Sequence, residues 1–304
     1  MTKIHEAAAV GFERAADAYE RGRPEYSADA VEFVRAKLAE LQKSRLNDRS
    51  FSSPTAVDGP RGLAVADVAA GTGKFTKVLA SFSPELVATI AAVEPVAAMR
   101  TKCVEILTAH LEDFANSPAT SRVAVLDGTA EKLPFADESL DVVTVAQAFH
   151  WFDGAQALVE IHRVMRPGGM LLMIWNVRDE SFAWIREMTD LMVPYEGTAP
   201  RYRTMKWREA FDHQFESPLP APLFSPLEMT SIKHVTLGTI ETMLDRVASV
   251  SFVASLPLDD RTELLSKMRD LYLRELRSTA SPAEREEPQL AMPYEAQVFI
   301  CRGL

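Results

Sequence analysis

The sequence has few of the features that mark secreted, membrane-bound or nucleic-acid-binding proteins. It contains two cysteines, Cys103 and Cys301, which provide no disulfide framework and no CxxC metal spacing, so we expect a cytoplasmic protein. No apolar run approaches 18 residues and the N-terminus has no signal-peptide pattern, so we expect no membrane partner. The net charge of −10 argues against a nucleic-acid partner, because nucleic acids require a basic surface.

The composition of the sequence is typical of a globular protein. Of its 304 residues, 47% are hydrophobic and 25% are charged, which is enough for a full hydrophobic core. The six histidines share no spacing that would place them together, so we expect no metal site. The functional residues must therefore be sought in local motifs.

One short stretch organises the rest of the chain. Leu63–Val68 predicts a buried strand, Gly71–Gly73 predicts a tight turn, and apolar residues at helical spacing from Phe75 to Phe82 predict a helix. In an open α/β sheet a ligand lies over such a turn, because glycines let the backbone approach it closely. Glu94 ends the next predicted strand, 21 residues after Gly73, where a carboxylate can accept hydrogen bonds from ribose hydroxyls.

Two details of this stretch favour an adenosyl ligand over a dinucleotide. Thr76 stands where the dinucleotide motif has its third glycine. Asp67 lies immediately before the loop, where its carboxylate could reach a ligand amine or could only stabilise the turn. A nicotinamide-dependent oxidoreductase and a non-catalytic cofactor-binding protein on the same fold stay open as alternatives.

Four motifs then follow one another in a characteristic order: Ala66–Gly73, Val93–Pro95, Asp127–Phe135 and Arg163–Gly169. Together they resemble the class I S-adenosylmethionine-dependent methyltransferases, and within that class the small-molecule enzymes that include trans-aconitate methyltransferases. The resemblance implies an α/β, doubly wound, mostly parallel seven-stranded sheet of Rossmann-like type, with the last strand antiparallel and a helical cap. It implies methyl transfer from S-adenosylmethionine, leaving S-adenosylhomocysteine, to a small-molecule substrate.

The same reading divides the chain into four parts. We expect residues 1–43 to form an N-terminal helical segment or lid, and residues 44–62 to form a flexible loop. Residues 63–176 form the cofactor-binding core, and residues 177–304 form a substrate-side cap with the final strands of the same sheet. We expect a monomer or a homodimer.

The expected cofactor site draws on the glycine loop, on the ends of the next strands and on the N-terminal segment. Ala69 replaces the family's first loop glycine, which tightens the turn. By resemblance, the loop after the third strand brackets the adenine, and Arg23 and Tyr26 close on the methionine carboxylate or on the substrate. The full set is Asp67, Ala69, Gly71, Thr72, Gly73, Glu94, Asp127, Thr129, Ala130, Glu131, Gln147, Arg23 and Tyr26.

The acceptor side is expected at the carboxyl end of the predicted strand Leu140–Val145. His150 follows this strand and could orient a nucleophile or take its proton, or with Trp151 it could only shape the pocket wall. Because guanidiniums bind carboxylates bidentately, arginines of the cap are candidate anchors for a small acid: Arg178, Arg201, Arg203 and Arg246. A carboxylate acceptor would need no base, whereas an alcohol or amine would need help from His150.

Overall fold

The computed structural model describes residues 22–47, 62–112, 121–198, 200–216, 221–279 and 289–304. The strands are β1 Leu63–Val68, β2 Val87–Val93, β3 Val123–Leu126, β4 Leu140–Ala146, β5 Met165–Arg178, β6 Glu228–Gly238 and β7 Leu290–Arg302. The helices are α1 Ala28–Asn47, α2 Lys74–Ala80, α3 Ala97–His110, α4 Gly154–Val164, α5 Ala183–Met192, α6 Glu209–Glu216, α7 Ile240–Ala248, α8 Ser251–Ala254 and α9 Leu258–Thr279. Residues 1–21 and 48–61, which carry about half of the expected lid and most of the expected loop, lie outside the described residues.

All seven strands join one sheet in the order β3-β2-β1-β4-β5-β7-β6. The first five strands run parallel, and β7 pairs antiparallel with both β5 and β6. The strand order reverses between β1 and β4, which opens a crevice at their carboxyl ends. The expected doubly wound, seven-stranded sheet with an antiparallel last strand is confirmed.

The sheet is buried on both faces, as continuous apolar strands require. On one face it packs against α1, α2 and α3, whose Leu38, Leu79 and Leu107 are fully buried. On the other face it packs against α4 and α6 through Ile161 and Phe211. Each such side chain contributes roughly 1.5–3 kcal/mol when fully buried, so these contacts stabilise the helical layers on both faces of the sheet.

A helical cap stands beyond the carboxyl edge of the parallel strands. The last pair between β4 and β5 is Ala146 with Ile174, but β5 continues to Arg178, which pairs with Tyr294 of β7. Helices α5, α7 and α9 and the start of β7 share a separate buried cluster, with members such as Met188, Val247, Met268 and Met292. The expected division between residues 176 and 177 therefore falls inside a strand, because β5 runs from the core into the cap.

Helix α1 also corrects the expected organisation of the chain. It ends at Asn47 rather than before residue 44, so the residues from Ser44 onward begin as helix and not as loop. The guanidinium of Arg45 forms an ion pair with Asp141 at the start of β4, and this contact anchors the last turn of the helix to the sheet. None of the described helices combines the length and the apolar character needed to span a bilayer.

Candidate functional site

The glycine loop after β1 contains two glycines, and each position requires glycine for a different structural reason. Gly71 and Gly73 have φ angles of 58° and 82°, a left-handed conformation that favours glycine. A Cβ atom on Gly73 would lie 2.6 Å from the Sγ atom of Cys103, so this glycine lets α2 approach α3. A Cβ atom on Gly71 would meet no atom within 4 Å. Gly71 therefore borders open space, whereas Gly73 is required for packing.

Asp67 lies beneath this loop and is fully buried. Its Oδ2 atom accepts a hydrogen bond from Thr76 Oγ1 at 2.7 Å, and its Oδ1 atom accepts one from Thr144 Oγ1 at 3.0 Å. Burial raises the pKa of Asp67 to about 6, and the two hydroxyl donors oppose that rise. Thr76, which stands where the dinucleotide motif has its third glycine, thus fixes the carboxylate of Asp67 beneath the loop.

Glu94 connects the glycine loop to the end of β2. Its Oε2 atom accepts from the backbone N–H of Gly71 and its Oε1 atom from that of Val96, both at 2.9 Å. Burial raises the pKa of Glu94, and the two backbone donors oppose the rise. Arg100 donates to the Glu94 carbonyl at 2.8 Å and to Asp127 Oδ1 at 2.9 Å. A line of hydrogen bonds therefore follows the carboxyl ends of β1, β2 and β3.

The loop after β3 lies at the far end of this line. Ala130 is buried, and Glu131 accepts from the backbone N–H of Asp153 at 3.0 Å, which ties the loop to the start of α4. The buried Oγ1 atom of Thr129 has no hydrogen-bond partner among the described residues. These residues follow the carboxyl end of β3, which pairs with β2 in the sheet.

A cavity of about 270 Å³ opens between the glycine loop, the end of β4, the extension of β5 and the cap. It brings together many of the expected residues: Arg23, Tyr26, Ala69, Gly71, Thr72, Gln147, His150, Trp151, Arg178, Arg201, Arg203 and Arg246. It does not include the others: Asp67, Gly73, Glu94, Asp127, Thr129, Ala130 and Glu131. The structure thus places Asp67 and Gly73 as supports of the loop and not on the cavity wall.

The N-terminal segment bridges the two sides of this cavity. Tyr26 packs edge-on against Phe75 of α2, with ring centroids 5.0 Å apart, and Glu25 accepts from Lys74 at 2.9 Å. At the other end, a Cβ atom on Gly22 would lie 2.5 Å from the side chain of Ser249, which follows α7. Residues 22–26 therefore connect the glycine-loop side to the cap.

Three cavity arginines have no ion pair with a carboxylate among the described residues: Arg178, Arg201 and Arg246. The buried Nε atoms of Arg178 and Arg201 also lack any hydrogen-bond partner in the described structure. The Arg201 guanidinium lies 4.5 Å from the centre of the Phe252 ring, and burial lowers its pKa. Arg203 differs, because Glu196 neutralises it.

His150 lies in a short 3-10 helix, Phe149–Trp151, directly after β4. The indole Nε1 atom of Trp175 donates to its Nδ1 atom over 3.4 Å. Burial lowers the pKa of His150 to about 3, and the nearby guanidiniums of Arg201 and Arg23 lower it further. The imidazole is therefore neutral at pH 7. Sequence reasoning missed Trp175, although its place at the end of an apolar strand run was a usable signal.

An open α/β sheet with a glycine loop at the reversal point and an acidic residue ending the next strand defines a class of nucleotide- or adenosyl-binding proteins. Residues 66–173 match the family model described as a methyltransferase domain. The chain is 32% identical over 301 residues to an uncharacterised methyltransferase of Mycobacterium bovis, covering 99% of this chain and 98% of that protein. The chain therefore belongs to the methyltransferase family.

Two further comparisons agree with this assignment. A methyltransferase-like protein of Schizosaccharomyces pombe is 26% identical over 282 residues, covering 92% of this chain and 91% of the relative. The solved structure of a protein described as a type II methyltransferase, from Anaeromyxobacter dehalogenans, superimposes with a TM-score of 0.54 at 20% identity. That alignment covers 92% of this chain and 97% of the other, which shows the same fold. The trans-aconitate group stays a prediction.

Proposed function

We propose that this chain transfers a methyl group from S-adenosylmethionine to the ionised oxygen of a small carboxylic acid. The proposal is carried by one observation, the three cavity arginines that form no ion pair with a carboxylate in the described structure. Half-buried guanidiniums are costly to leave without a counter-charge. A bound carboxylate would neutralise them and would accept two hydrogen bonds from each planar guanidinium that it meets edge-on.

The residues present fit the proposed cofactor. Gly71 leaves open space where a side chain would stand, and Ala69 and Thr72 continue the same wall. Glu94 and Asp127 are the candidates for the ribose and the adenine, and Arg23 and Tyr26 are the candidates for the methionine carboxylate. When bound, S-adenosylmethionine supplies a methyl group on a positively charged sulfur, which becomes a neutral thioether after transfer.

The protein's own contribution would be orientation and the exclusion of water. A carboxylate acceptor is already ionised at pH 7, so no side chain has to remove a proton from it. Alignment of the reacting atoms in a site that excludes water lowers the barrier to such a displacement. Residues 22–26 and the cap cover the cavity from two sides, and the arginines would hold the acid against the end of β4.

Calorimetric titration of the full chain with S-adenosylhomocysteine and with NAD tests the cofactor assignment. We expect micromolar binding of S-adenosylhomocysteine and none of NAD. Binding of NAD alone would contradict the proposal and would favour a nicotinamide-dependent oxidoreductase.

A transfer assay with S-adenosylmethionine carrying a labelled methyl group tests the acceptor class. The panel should contain mono-, di- and tricarboxylic acids, together with phenols and amines as controls. Methyl esters release volatile labelled methanol in mild alkali, whereas N-methyl, C-methyl and aryl ether products do not. We expect alkali-labile label with acids. Alkali-stable label would contradict a carboxylic acid acceptor but would still support methyl transfer. Cofactor binding without any transfer would favour a non-catalytic binding protein.

A further inference from the structure

His150 occupies a fixed position on the cavity wall. The neighbouring Phe149 is buried and packs against Phe211, with ring centroids 5.1 Å apart. The backbone N–H of Trp151 donates to the carbonyl of Ala148 at 2.9 Å. Because Phe149 anchors the turn in the core, the next side chain, His150, is directed to the cavity that it lines.

The contact with Trp175 decides which nitrogen of His150 carries the proton. An indole N–H is a donor and never an acceptor. Since Trp175 Nε1 faces His150 Nδ1 at 3.4 Å, Nδ1 must be the unprotonated nitrogen. A neutral imidazole has one N–H group, and it must then be on Nε2. The Nε2 atom makes no hydrogen bond within the described residues.

The charges around the ring keep it neutral. Arg201 and Arg23 are the charged groups that act on it, and the third neighbour is the indole of Trp151, whose ring centroid lies 5.3 Å away. A second proton on His150 would place a third positive charge beside two guanidiniums in a partly dry site. The ring is therefore available as a donor but not as a base.

We infer that His150 recognises the methyl acceptor by donating a hydrogen bond from Nε2–H to its carboxylate, and that Trp175 is the positioning residue that sets this tautomer. The inference rests on the proposed function for the identity of the acceptor. A carboxylate oxygen that forms a bond to a methyl group releases no proton, so a donor at this position suits it. Acceptors that must lose a proton, such as alcohols and ammonium groups, find no base at His150.

The tautomer can be measured in the ligand-free enzyme. Long-range proton–nitrogen correlation spectra of the chain labelled with ¹⁵N-histidine distinguish the two neutral tautomers from the imidazolium, and the H150Q variant identifies the signals of His150. We expect the Nε2–H tautomer at pH 7. The Nδ1–H tautomer or an imidazolium would overturn the inference whatever the substrate is.

Trp207 supplies a matched control for Trp175. It is another buried tryptophan of the same aromatic cluster, its ring centroid is 4.8 Å from that of Trp175, and its Nε1 atom has no partner among the described residues. We expect W175F to convert His150 into a mixture of tautomers and W207F to leave it unchanged. An unchanged tautomer in folded W175F would overturn the positioning role of Trp175.

Kinetics with the acid acceptor separate a donor from a base. The glutamine side chain of the H150Q variant places an N–H donor about where Nε2 lies, but it cannot act as a base. The leucine side chain of H150L can neither donate a hydrogen bond nor act as a base. We expect H150L to lose about 10- to 100-fold in kcat/KM, the usual loss for a hydrogen bond to a charged group, and H150Q to recover most of it. The inference would be overturned if H150L and H150Q lost kcat/KM equally and both abolished a rise of kcat/KM with pH, because that result would show that His150 acts as a base. If no acid is methylated, the proposed function is wrong. The tautomer of His150 is then tested by the proton–nitrogen correlation spectra alone.

Discussion

On the glycine-loop side of the cavity the buried charges are two carboxylates, whereas on the cap side the half-buried charges are three guanidiniums. Asp67 and Glu94 each receive two hydrogen bonds from the protein. Arg178, Arg201 and Arg246 form no ion pair with a carboxylate in the part of the chain that the structure describes. The carboxylates of the loop side are therefore satisfied by hydrogen bonds from the protein, whereas the guanidiniums of the cap side are open to an anionic ligand.

This difference predicts two kinds of mutational effect. Replacing a carboxylate of the loop side leaves buried donors without an acceptor, so stability and cofactor binding should fall together. Replacing an arginine of the cap side removes a charge that forms no ion pair within the described residues, so acceptor binding should fall while stability changes little.

Gly71→Val should reduce the affinity for S-adenosylhomocysteine by at least about 100-fold, equivalent to about 2.7 kcal/mol. The new side chain would fill the open space beside the loop. Calorimetry measures the affinity and thermal unfolding measures the stability. Gly168→Val is the matched control. Gly168 has a φ of 67° and equally open surroundings, but it lies near the start of β5, away from the carboxyl ends of the parallel strands. Both variants should lose similar stability through backbone strain, and normal binding by G71V would show that the loop is not the cofactor site.

Glu94→Ala should weaken cofactor binding by roughly 1–3 kcal/mol and lower the melting temperature, since two backbone N–H groups lose their acceptor. Glu160→Ala is the control. Glu160 accepts from the backbone N–H of Leu133 at 2.8 Å away from the cavity, so its loss should lower stability alone. Unchanged affinity in E94A would mean that Glu94 neither contacts the ribose nor shapes the loop.

Arg178→Met should raise KM for the acid acceptor about tenfold, equivalent to about 1.4 kcal/mol, with the affinity for S-adenosylhomocysteine unchanged. Its melting temperature should fall no further than that of Arg186→Met. Arg186 is exposed, donates to the carbonyl of Ser181 at 3.0 Å and lies outside the cavity. A large loss of stability in R178M would show that the protein itself neutralises this guanidinium.

Asp67→Asn should change the pH dependence of stability by about 1 kcal/mol between pH 5 and pH 7. Burial raises the pKa of Asp67 to about 6, so the native protein holds this proton more tightly than the unfolded chain does. The wild type therefore loses stability relative to D67N as the pH rises through this window, as urea unfolding at several pH values would measure. Asp179→Asn is the control, because the pKa of Asp179 is lowered by its bonds to Ser181 and should add no slope above pH 5. A flat difference for D67N would contradict the buried position of its carboxylate.

Local sequence was sufficient to predict the glycine loop and the strand and helix that flank it, whereas the seven-stranded sheet was predicted from the resemblance to a known family. Leu63–Val68 is apolar throughout except for Asp67, and Gly71 and Gly73 follow it at a spacing that one backbone turn requires, so the strand–turn–helix unit could be read without tertiary information. The same holds for Asp153 as a helix cap, since its Oδ1 atom accepts from the backbone N–H of Gln156 at 3.3 Å. These features depend on residues only a few positions apart.

Tertiary structure decided which charges meet. Arg178 ends β5, Arg201 follows α5 and Arg246 lies in α7, and no local pattern indicates that they share one cavity. The contact that sets the tautomer of His150 joins residues 25 positions apart. Sequence periodicity determines which face of an element is buried, but the pairing of polar side chains depends on how elements from distant parts of the chain pack against one another.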